Sequence, residues 1–443
     1  MFVLIFVAAV LLAHYYLWHR LVRRTTGPGR LRKSLTWGLA ALLAVLVTTF
    51  VGARMGLESW VAWPGYIWLA VMFYLVVILA VLEIPRAVVA AVLRRAGRRE
   101  RAPEATPEPV AVLAGTAAPA DQPSSGPAAG LEPPAGLEPP AGLESPVSPV
   151  GSGEDAPAAA RAVAGDMSRR LFLGRTTAAI AGVSALATVG YGMSAALGDP
   201  VIERVKVALP KLDSRLGGLR FAVVSDIHLG PLTGIGHTER IVRMINGLEA
   251  DVVAIVGDLV DGSVAQLGAL AKPLKSLESR YGAFFVTGNH EYFAPEGPGE
   301  WIEELGELGV RSLRNERVEI RHQGAVLDLA GVNDVGGAAT GDGPDFAKAL
   351  GGRDAGRSTV LLAHQPIQVS EAARHGVDLQ LSGHTHGGQI APFNLVVGLQ
   401  QPVVSGLATV DGVQVYVSRG AGFWGPPVRV GAPPEITLLE LRS

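Results

Sequence analysis

The chain has 443 residues, of which 49% are hydrophobic and 18% are charged, and its formal net charge is −2. The net charge says nothing about nucleic acid, but the C-terminal half has no basic tract that would follow a phosphate backbone, so no nucleic-acid partner is expected. The absence of cysteine excludes disulfides, thiolate zinc sites and a cysteine nucleophile. The length allows two or three units at about 150 residues per domain, and the apolar content indicates that one of them lies in a membrane.

Three apolar runs at 2–18, 35–53 and 65–82 predict transmembrane helices within a membrane region of residues 1–100. Arginine-rich clusters follow the first run at 20–33 and the third run at 86–101. The 54–64 loop, in contrast, has a single basic residue, Arg54. By the positive-inside rule, the N-terminus and the 54–64 loop lie outside, and both basic clusters lie inside. Buried helices of a soluble domain are the alternative, but runs of this length are uncommon outside membranes.

Residues 101–166 are predicted to be a disordered linker. They are rich in Pro, Ala, Gly and Glu, and the unit Ala-Gly-Leu-Glu-Pro-Pro occurs at 129–134 and again at 135–140. Such a composition has almost no aromatic or β-branched side chains to bury, so it does not offset the entropy of ordering. A spacer is the simplest interpretation, and a docking peptide for a partner is the alternative.

Residues 167–199 resemble a twin-arginine export signal. Arg169-Arg170 is followed by Phe172-Leu173 and by a mildly apolar run to about residue 197. This resemblance implies a twin-arginine translocase as a partner, which carries folded and often metal-loaded proteins. An ordinary fourth span is the alternative. Either interpretation places the following domain outside the cytoplasmic membrane, and whether the segment is cleaved is left open.

Residues 200–443 alternate between short apolar runs and amphipathic stretches, which predicts an α/β domain. The predicted strands are 220–225, 251–256, 282–287, 318–320, 326–330, 360–362 and 413–417, a further strand ends at 380–382, and the predicted helices are 238–248 and 299–308. In such folds ligands bind at the carboxyl ends of strands.

Five polar clusters follow predicted strands in this domain, and they contain five of the ten histidines. They are Asp226-Ile-His228, Gly257-Asp258-Leu-Val-Asp261, Gly288-Asn289-His290-Glu291, His364, and Gly383-His384-Thr385-His386. Carboxylate, amide and imidazole groups suit borderline or hard divalent ions such as Mn, Fe or Zn, and a set without thiolate is not a closed structural zinc site. The clusters together can hold two ions.

In this order the five motifs resemble the calcineurin-like metallophosphoesterase superfamily. The tail 419–429 is similar to a membrane-anchored or twin-arginine-exported bacterial branch of that superfamily. The resemblance covers residues 200–443 and implies a sandwich of two central β-sheets flanked by α-helices. The ligands that it implies are Asp226, His228 and His386 for one ion, Asn289, His364 and His384 for a second ion, and Asp258 as a bridge between both.

The resemblance also implies catalytic roles for His290 and Asp261. His290 would stabilise charge on the substrate and protonate the leaving oxygen, and Asp261 would orient it and raise its pKa. Glu291 is either a neighbour of the ligands or a helix-start residue, and the second interpretation is favoured. His237 is a candidate for the rim of the cleft. Gly257, Gly288 and Gly383 are expected to allow tight turns.

These features predict a metallophosphoesterase that hydrolyses a phosphoester with a hydroxide bridging two metals, at the outer face of the cytoplasmic membrane. Tethering to a membrane favours a phospholipid or an envelope phosphoester as the substrate. A nucleotide or cyclic-nucleotide phosphodiesterase is the alternative within the enzyme class. A non-catalytic metal-binding membrane sensor is the alternative outside it.

Overall fold

The computed structural model describes residues 2–54, 59–99, 155–293 and 297–443. The chain divides into two compact units, residues 1–82 together with 171–443, and residues 83–170. The described parts of the second unit, 83–99 and 155–170, are helical. Most of the predicted linker lies outside the described residues, and its end, 155–166, is helical. Pro157 falls in the first turn of that helix, where the missing N–H costs little.

Four long helices carry the apolar segments: α1 (Phe2–Leu17), α2 (Arg30–Arg54), α3 (Ser59–Arg99) and α4 (Asp155–Leu197). A π-helical turn, Trp18–Arg23, continues α1. Each helix contains a stretch long and apolar enough to cross a membrane: Leu4–Arg23, Arg30–Gly52, Trp60–Pro85 and Leu171–Leu197. The three predicted runs and the fourth apolar segment all lie in these helical stretches, which qualify as candidate spans by length and composition.

Neighbouring spans run in opposite directions. The Phe50 ring, near the end of α2, lies 5.4 Å from Phe6 of α1 and 5.8 Å from Tyr66 near the start of α3. At the other end of the helices, Arg175 Nε of α4 donates to the Thr25 carbonyl in the α1–α2 connection, at 3.1 Å. The last turns of α4 reach the C-terminal domain, where Arg429 N donates to Gly192 O at 2.9 Å.

The C-terminal domain contains two six-stranded sheets. The first has the strand order β1-β12-β2-β3-β4-β5 and the second the order β10-β11-β9-β8-β7-β6. The strands are β1 (Val201–Ala208), β2 (Arg220–Val224), β3 (Val252–Val256), β4 (Ala283–Val286), β5 (Val310–Ser312), β6 (Glu316–His322), β7 (Ala325–Gly331), β8 (Thr359–Leu362), β9 (Leu379–Ser382), β10 (Gly406–Val410), β11 (Val413–Val417) and β12 (Glu435–Arg442). The strands β2 to β5 pair in parallel, as do β7, β8, β9 and β11.

Six shorter α-helices belong to this domain: α5 (Ile235–Asn246), α6 (Val264–Ala271), α7 (Gly299–Glu307), α8 (Phe346–Leu350), α9 (Val369–Arg374) and α10 (Asn394–Val397). One apolar core, which includes Phe221 and Leu329, joins the two sheets. A second covers the outer face of the first sheet and includes Ile241 and Trp301 from α5 and α7. A third covers the outer face of the second sheet and includes Phe346 and Val369 from α8 and α9.

The predicted sandwich of two sheets flanked by helices is confirmed. All of the predicted strands are present, and only their ends shift by one or two residues. The unpredicted β1 and β12 lie in the first sheet, where they pair in parallel with each other. β1 alternates charged and apolar residues and is exposed at several positions, so it has no continuous apolar run to reveal it.

Candidate metal centre

The five polar clusters all lie at carboxyl ends of strands, in agreement with the sequence analysis. Three follow β2, β3 and β4 of the first sheet, and two follow β8 and β9 of the second. Three groups of side chains have potential ligand atoms within 4.8 Å of one another: Asp226, His228 and His386; His228, Asp258 and His290; Asp258, His364 and His384. The sandwich therefore brings residues up to 160 positions apart into one centre, from Asp226 to His386.

Asp226, His228 and His386, here called the first cluster, are fixed by contacts within the protein. His228 Nε2 lies 3.0 Å from His386 Nε2, and His386 Nε2 lies 3.3 Å from Asp226 Oδ1. His228 Nδ1 donates to Asp261 Oδ1 at 2.8 Å. Because Asp261 holds the proton of His228 on Nδ1, Nε2 is left with a free lone pair that faces the cluster.

Asn289, His364 and His384 are here called the second cluster. Asn289 Oδ1, His364 Nε2 and His384 Nδ1 are buried and have no hydrogen-bond partner among the described residues. The other nitrogen of His364, Nδ1, donates to the Val256 carbonyl at 2.8 Å, which leaves Nε2 as an acceptor. Buried polar atoms are costly when unsatisfied, so three in one place indicate a site for a ligand.

Asp258 lies between the two clusters. Its Oδ2 atom is 3.2 Å from His364 Nε2 and 3.9 Å from His228 Nε2. Its Oδ1 atom accepts from the His290 backbone N–H at 2.9 Å, which fixes the carboxylate. Both clusters can therefore share one carboxylate, as the sequence resemblance implies.

His290 is paired with Asp261, as expected from the sequence. His290 Nδ1 lies 2.7 Å from Asp261 Oδ1, the same oxygen that accepts from His228. Burial opposes the charged form of His290, but the charges of Asp258 and Asp261 prevail and raise its pKa to about 9. Although burial acts against the ionised form of Asp261, the nearby charges of His228 and His290 hold its pKa below the usual range. Together these effects keep a proton on His290.

Burial keeps two other histidines neutral. It lowers the pKa of His384 to about 3, and it lowers the pKa of His386 together with the charge of Arg429. Neutral imidazole is the form that binds metal ions. The donor set, the unpartnered atoms and these neutral imidazoles therefore fit divalent cations.

The backbone at these ligand positions is unusual. Five residues of the centre have positive φ, between 50° and 70°: Asp226, His228, Asp258, His384 and His386. This conformation is uncommon for residues other than glycine, and such strain concentrates at functional sites. Among the three glycines expected to make turns, Gly257 has a positive φ of 79°. Gly288 and Gly383 instead leave room, because a Cβ there would lie 2.2 Å from Asp258 Oδ1 and 1.8 Å from Ser225 Oγ.

The Glu291 carboxylate holds together the two loops that carry Asp258 and Asn289. Glu291 is buried, and its carboxylate accepts from the backbone N–H groups of Asp258 at 3.1 Å, Leu259 at 2.8 Å and Gly288 at 2.6 Å. Glu291 also lies in the first turn of the 3₁₀ helix His290–Tyr292, so it is a helix-start residue and a neighbour of the ligand candidates at the same time. Burial and the charge of Asp258 raise the pKa of Glu291 to about 7.

Arg429 and Asp334 are residues of the centre that sequence reasoning did not identify. The Arg429 guanidinium is buried, donates to the His386 carbonyl at 2.8 Å and lies 3.0 Å from His386 Nδ1. Burial lowers the pKa of Arg429 to about 10. Asp334 is buried beyond the end of β7, accepts from Gln365 Nε2 at 3.0 Å and has one oxygen without a partner among the described residues. Asp334 follows the predicted strand 326–330, and this position could have identified it as a residue of the centre.

His237 does not lie at the rim of the cleft. It is buried, and its Nε2 atom is 3.3 Å from the carbonyl of Ile227, between the first two ligand candidates. The ring therefore packs behind the loop that carries Asp226 and His228. Burial, and then the charge of Arg240, lowers the pKa of His237 to about 4.

Sequence comparisons find a matching family and similar proteins for the C-terminal domain. Residues 219–388 match the family model described as calcineurin-like phosphoesterase. The chain is 41% identical over 290 residues to a transmembrane protein with metallophosphoesterase domain from Bos taurus, and the match covers 63% of this chain and 64% of that protein. It is 42% identical over 262 residues to an uncharacterized metallophosphoesterase from Helicobacter pylori, covering 58% of this chain and 68% of that one.

A comparison with solved structures finds a dimetal phosphatase from Danio rerio. The sequences are 13% identical, the match covers 46% of this chain and 88% of that chain, and the TM-score is 0.32. At a TM-score of 0.32, this structural similarity carries no further argument about the chain. The matched part of this chain spans less than two thirds of the bovine protein and 60% of a zebrafish protein of the same description.

Proposed function

Because the chain belongs to the calcineurin-like metallophosphoesterases, a family of phosphoester hydrolases, we propose that it hydrolyses a phosphoester with two divalent ions at the outer face of a cytoplasmic membrane. One observation carries this proposal above the others. Asp258 lies between two clusters of potential ligand atoms, and three buried atoms of the second cluster have no hydrogen-bond partner among the described residues. Such an arrangement suits a pair of cations better than a polar core.

The proposed ligands are the seven residues of the two clusters and their bridge. Asp226, His228 and His386 would hold one ion, Asn289, His364 and His384 the other, and Asp258 both. Mn, Fe and Zn all suit this donor set. Such a pair of ions supplies a nucleophile from water at neutral pH and neutralises charge on the phosphoryl oxygens.

His290 is the proposed proton donor. Its Nδ1 atom is held by Asp261, and its Nε2 atom lies 3.9 Å from Asp258 Oδ2, so it faces the shared carboxylate. In direct hydrolysis, water attacks phosphorus on the side opposite the leaving oxygen. The P–O bond then breaks, and His290 Nε2 passes its proton to the departing alkoxide oxygen, which leaves as the alcohol. No covalent enzyme intermediate is required.

The proposed orientation rests on the direction of the spans. The basic 20–33 segment includes Thr25, which contacts Arg175 at the start of the apolar part of α4. The C-terminal domain contacts Gly192 near the other end of α4. With the basic end inside, the metal centre faces outward. The contact at Gly192 favours a retained fourth span, and a twin-arginine route is supported only by the pattern Arg169-Arg170-x-Phe172-Leu173.

The proposed substrate is a phospholipid or another envelope phosphoester, since tethering concentrates the domain at a lipid surface. A nucleotide or a cyclic nucleotide is the second candidate within the enzyme class. A metal-binding sensor without turnover is the candidate outside it. The Asp261–His290 pair and the raised pKa of His290 favour catalysis over sensing, because metal binding alone needs neither.

The test uses the full chain in lipid nanodiscs with Mn added. Hydrolysis of p-nitrophenyl phosphate and bis-p-nitrophenyl phosphate is measured together with metal content by elemental analysis. We expect about two ions per chain and turnover of at least one substrate. Bound ions without turnover of these esters, phospholipids or nucleotides would favour the sensor. Absence of bound ions would overturn the metal centre.

A further inference from the structure

We propose that residues 393–399, here called the apolar loop, dock the C-terminal domain onto the membrane surface, with their side chains among the lipid acyl chains beside the protein's own spans. This proposal does not depend on catalysis. It concerns a surface that lies outside the metal centre.

The apolar loop exposes large hydrophobic side chains. Leu399 is 84% exposed, Leu395 is 70% exposed, and Phe393 and Val396 are each close to half exposed. The short helix α10 lies within the loop and has no buried residue. A contiguous apolar patch of this kind on a protein surface indicates a protein or membrane contact rather than a folding requirement.

The charge pattern of the surrounding segment favours lipid. Residues 387–410 contain no Asp, Glu, Lys or Arg over 24 positions, although 18% of the whole chain is charged. If this segment had the same charged fraction as the whole chain, it would contain about four charged residues. Charged groups are costly in the hydrocarbon region, whereas a surface that binds a soluble protein normally has a charged or polar rim.

The loop is connected to the membrane helices through a short series of contacts. Arg429 N donates to Gly192 O of α4 at 2.9 Å, and a Cβ at Gly192 would lie 2.5 Å from Val428. Gly192 precedes the end of the Leu171–Leu197 span by five residues, which is roughly 8 Å along a helix. Residues 428–430 therefore lie at the depth of the last turns of the span.

The same strand-like segment holds the base of the apolar loop. Ala391 N donates to Val430 O at 2.9 Å, and Ile390 forms a β-bridge with Val430. Ile390, Val428 and Val430 also pack with the apolar cluster of the membrane helices. The loop begins two residues after Ala391, so it continues a surface that already contacts the spans. This continuity favours the membrane over a second copy or a soluble partner.

The docked surface would border the metal centre. Gln389 Nε2 donates to the Trp424 carbonyl at 2.8 Å, and the Trp424 ring lies 6.0 Å from His290. Trp424 is 52% exposed and lies between the loop and the cleft. Tryptophan is enriched at the level of lipid head groups. Docking would therefore place the entrance of the cleft at that level.

The experiment exploits the absence of cysteine in the chain. Single variants Leu395→Cys and Leu399→Cys are labelled with an environment-sensitive fluorophore. The full protein is placed in phosphatidylcholine–phosphatidylglycerol vesicles containing nitroxide lipids of graded depth. Arg321→Cys is the matched control, because Arg321 is exposed and pairs with Val326 at the opposite end of the second sheet from the metal centre.

We expect both loop labels to be quenched most by nitroxides roughly 5–10 Å below the head groups, and the control label to be unaffected. Quenching of the loop labels no stronger than that of the control would overturn the proposal. Energy transfer between differently labelled chains without lipid quenching would assign the surface to a second copy, which also overturns it. Metal content and turnover are measured on the same samples, so a failure of docking is distinguished from a failure of the hydrolase.

Discussion

The two clusters of the metal centre are organised differently. In the first, His228 is held by Asp261 and His386 is held by Arg429, so protein contacts orient the side chains. In the second, three buried atoms have no partner among the described residues. Outer contacts orient ligands and raise their basicity. The first cluster is therefore preorganised, whereas the second would depend more on a bound ion, and the proposed bridge Asp258 would couple the two.

The largest expected effect comes from breaking that coupling with Asp258→Asn. The change keeps the size of the side chain but removes the charge that faces both His364 and His228. Activity toward bis-p-nitrophenyl phosphate should fall by more than the roughly 100-fold limit typical of changes around the ligands, with loss of bound metal. The control Glu307→Gln changes an exposed carboxylate on α7 and should leave both unchanged. Normal metal content in the Asp258 variant would contradict a bridging role.

His290→Asn tests a residue that shares Asp261 with His228 of the first cluster. Loss of the proton donor should lower kcat by roughly 10²- to 10⁴-fold for an ester with a poor alkoxide leaving group. The loss should be much smaller for p-nitrophenolate, which needs little protonation. Metal content should not change. An equal loss for both leaving groups would argue against proton donation.

Glu291→Gln loosens the loops on which Asp258 and Asn289 lie. The amide has one acceptor oxygen where the carboxylate has two, so part of the clamp on the Asp258, Leu259 and Gly288 N–H groups is lost. Metal affinity or activity should fall by roughly 10- to 100-fold. Glu300→Gln is the matched control, because Glu300 also accepts from a backbone N–H, that of Val264 at 3.1 Å. Comparable losses in both variants would indicate a general stability effect.

Arg429→Lys should have the smallest effect and should be confined to the first cluster. Lysine keeps the charge but loses the planar set of donors that contacts His386 and the Gly422 carbonyl. Affinity for one of the two ions should fall by roughly tenfold while the other is unchanged, as measured by competition with a chelator. Arg317→Lys, a change in the Arg317–Asp328 pair on β6 and β7, serves as the control. An equal loss of both ions would remove the distinction between the clusters.

The sequence located the ligand candidates because each follows an apolar run. A buried parallel strand is visible as such a run, and the polar residue after it must lie at the carboxyl edge of the sheet. Asp226, Asp258 and His364 were all found in this way. Asp334 carries the same signal after β7 and was overlooked.

Other parts of the centre depend on contacts that no local pattern records. Glu291 is one residue after His290, yet its function follows from accepting N–H groups more than 30 positions away. Arg429 reaches His386 across 43 positions, from a segment whose residue types suggest a loop. Side-chain direction and burial decide both roles, and neither is periodic in sequence.

By itself, the sequence determined three candidate spans and a fourth apolar segment, the α/β class and the order of the polar motifs, since apolar length and strand-end chemistry are local properties. Only the tertiary structure decided which atoms of the two clusters face Asp258, that five residues of the centre have positive φ, and that Ile390, at the base of the apolar loop, packs with the membrane helices. Those features arise from packing between distant segments, where backbone strain and unsatisfied polar atoms are tolerated only because the surrounding fold holds them in place.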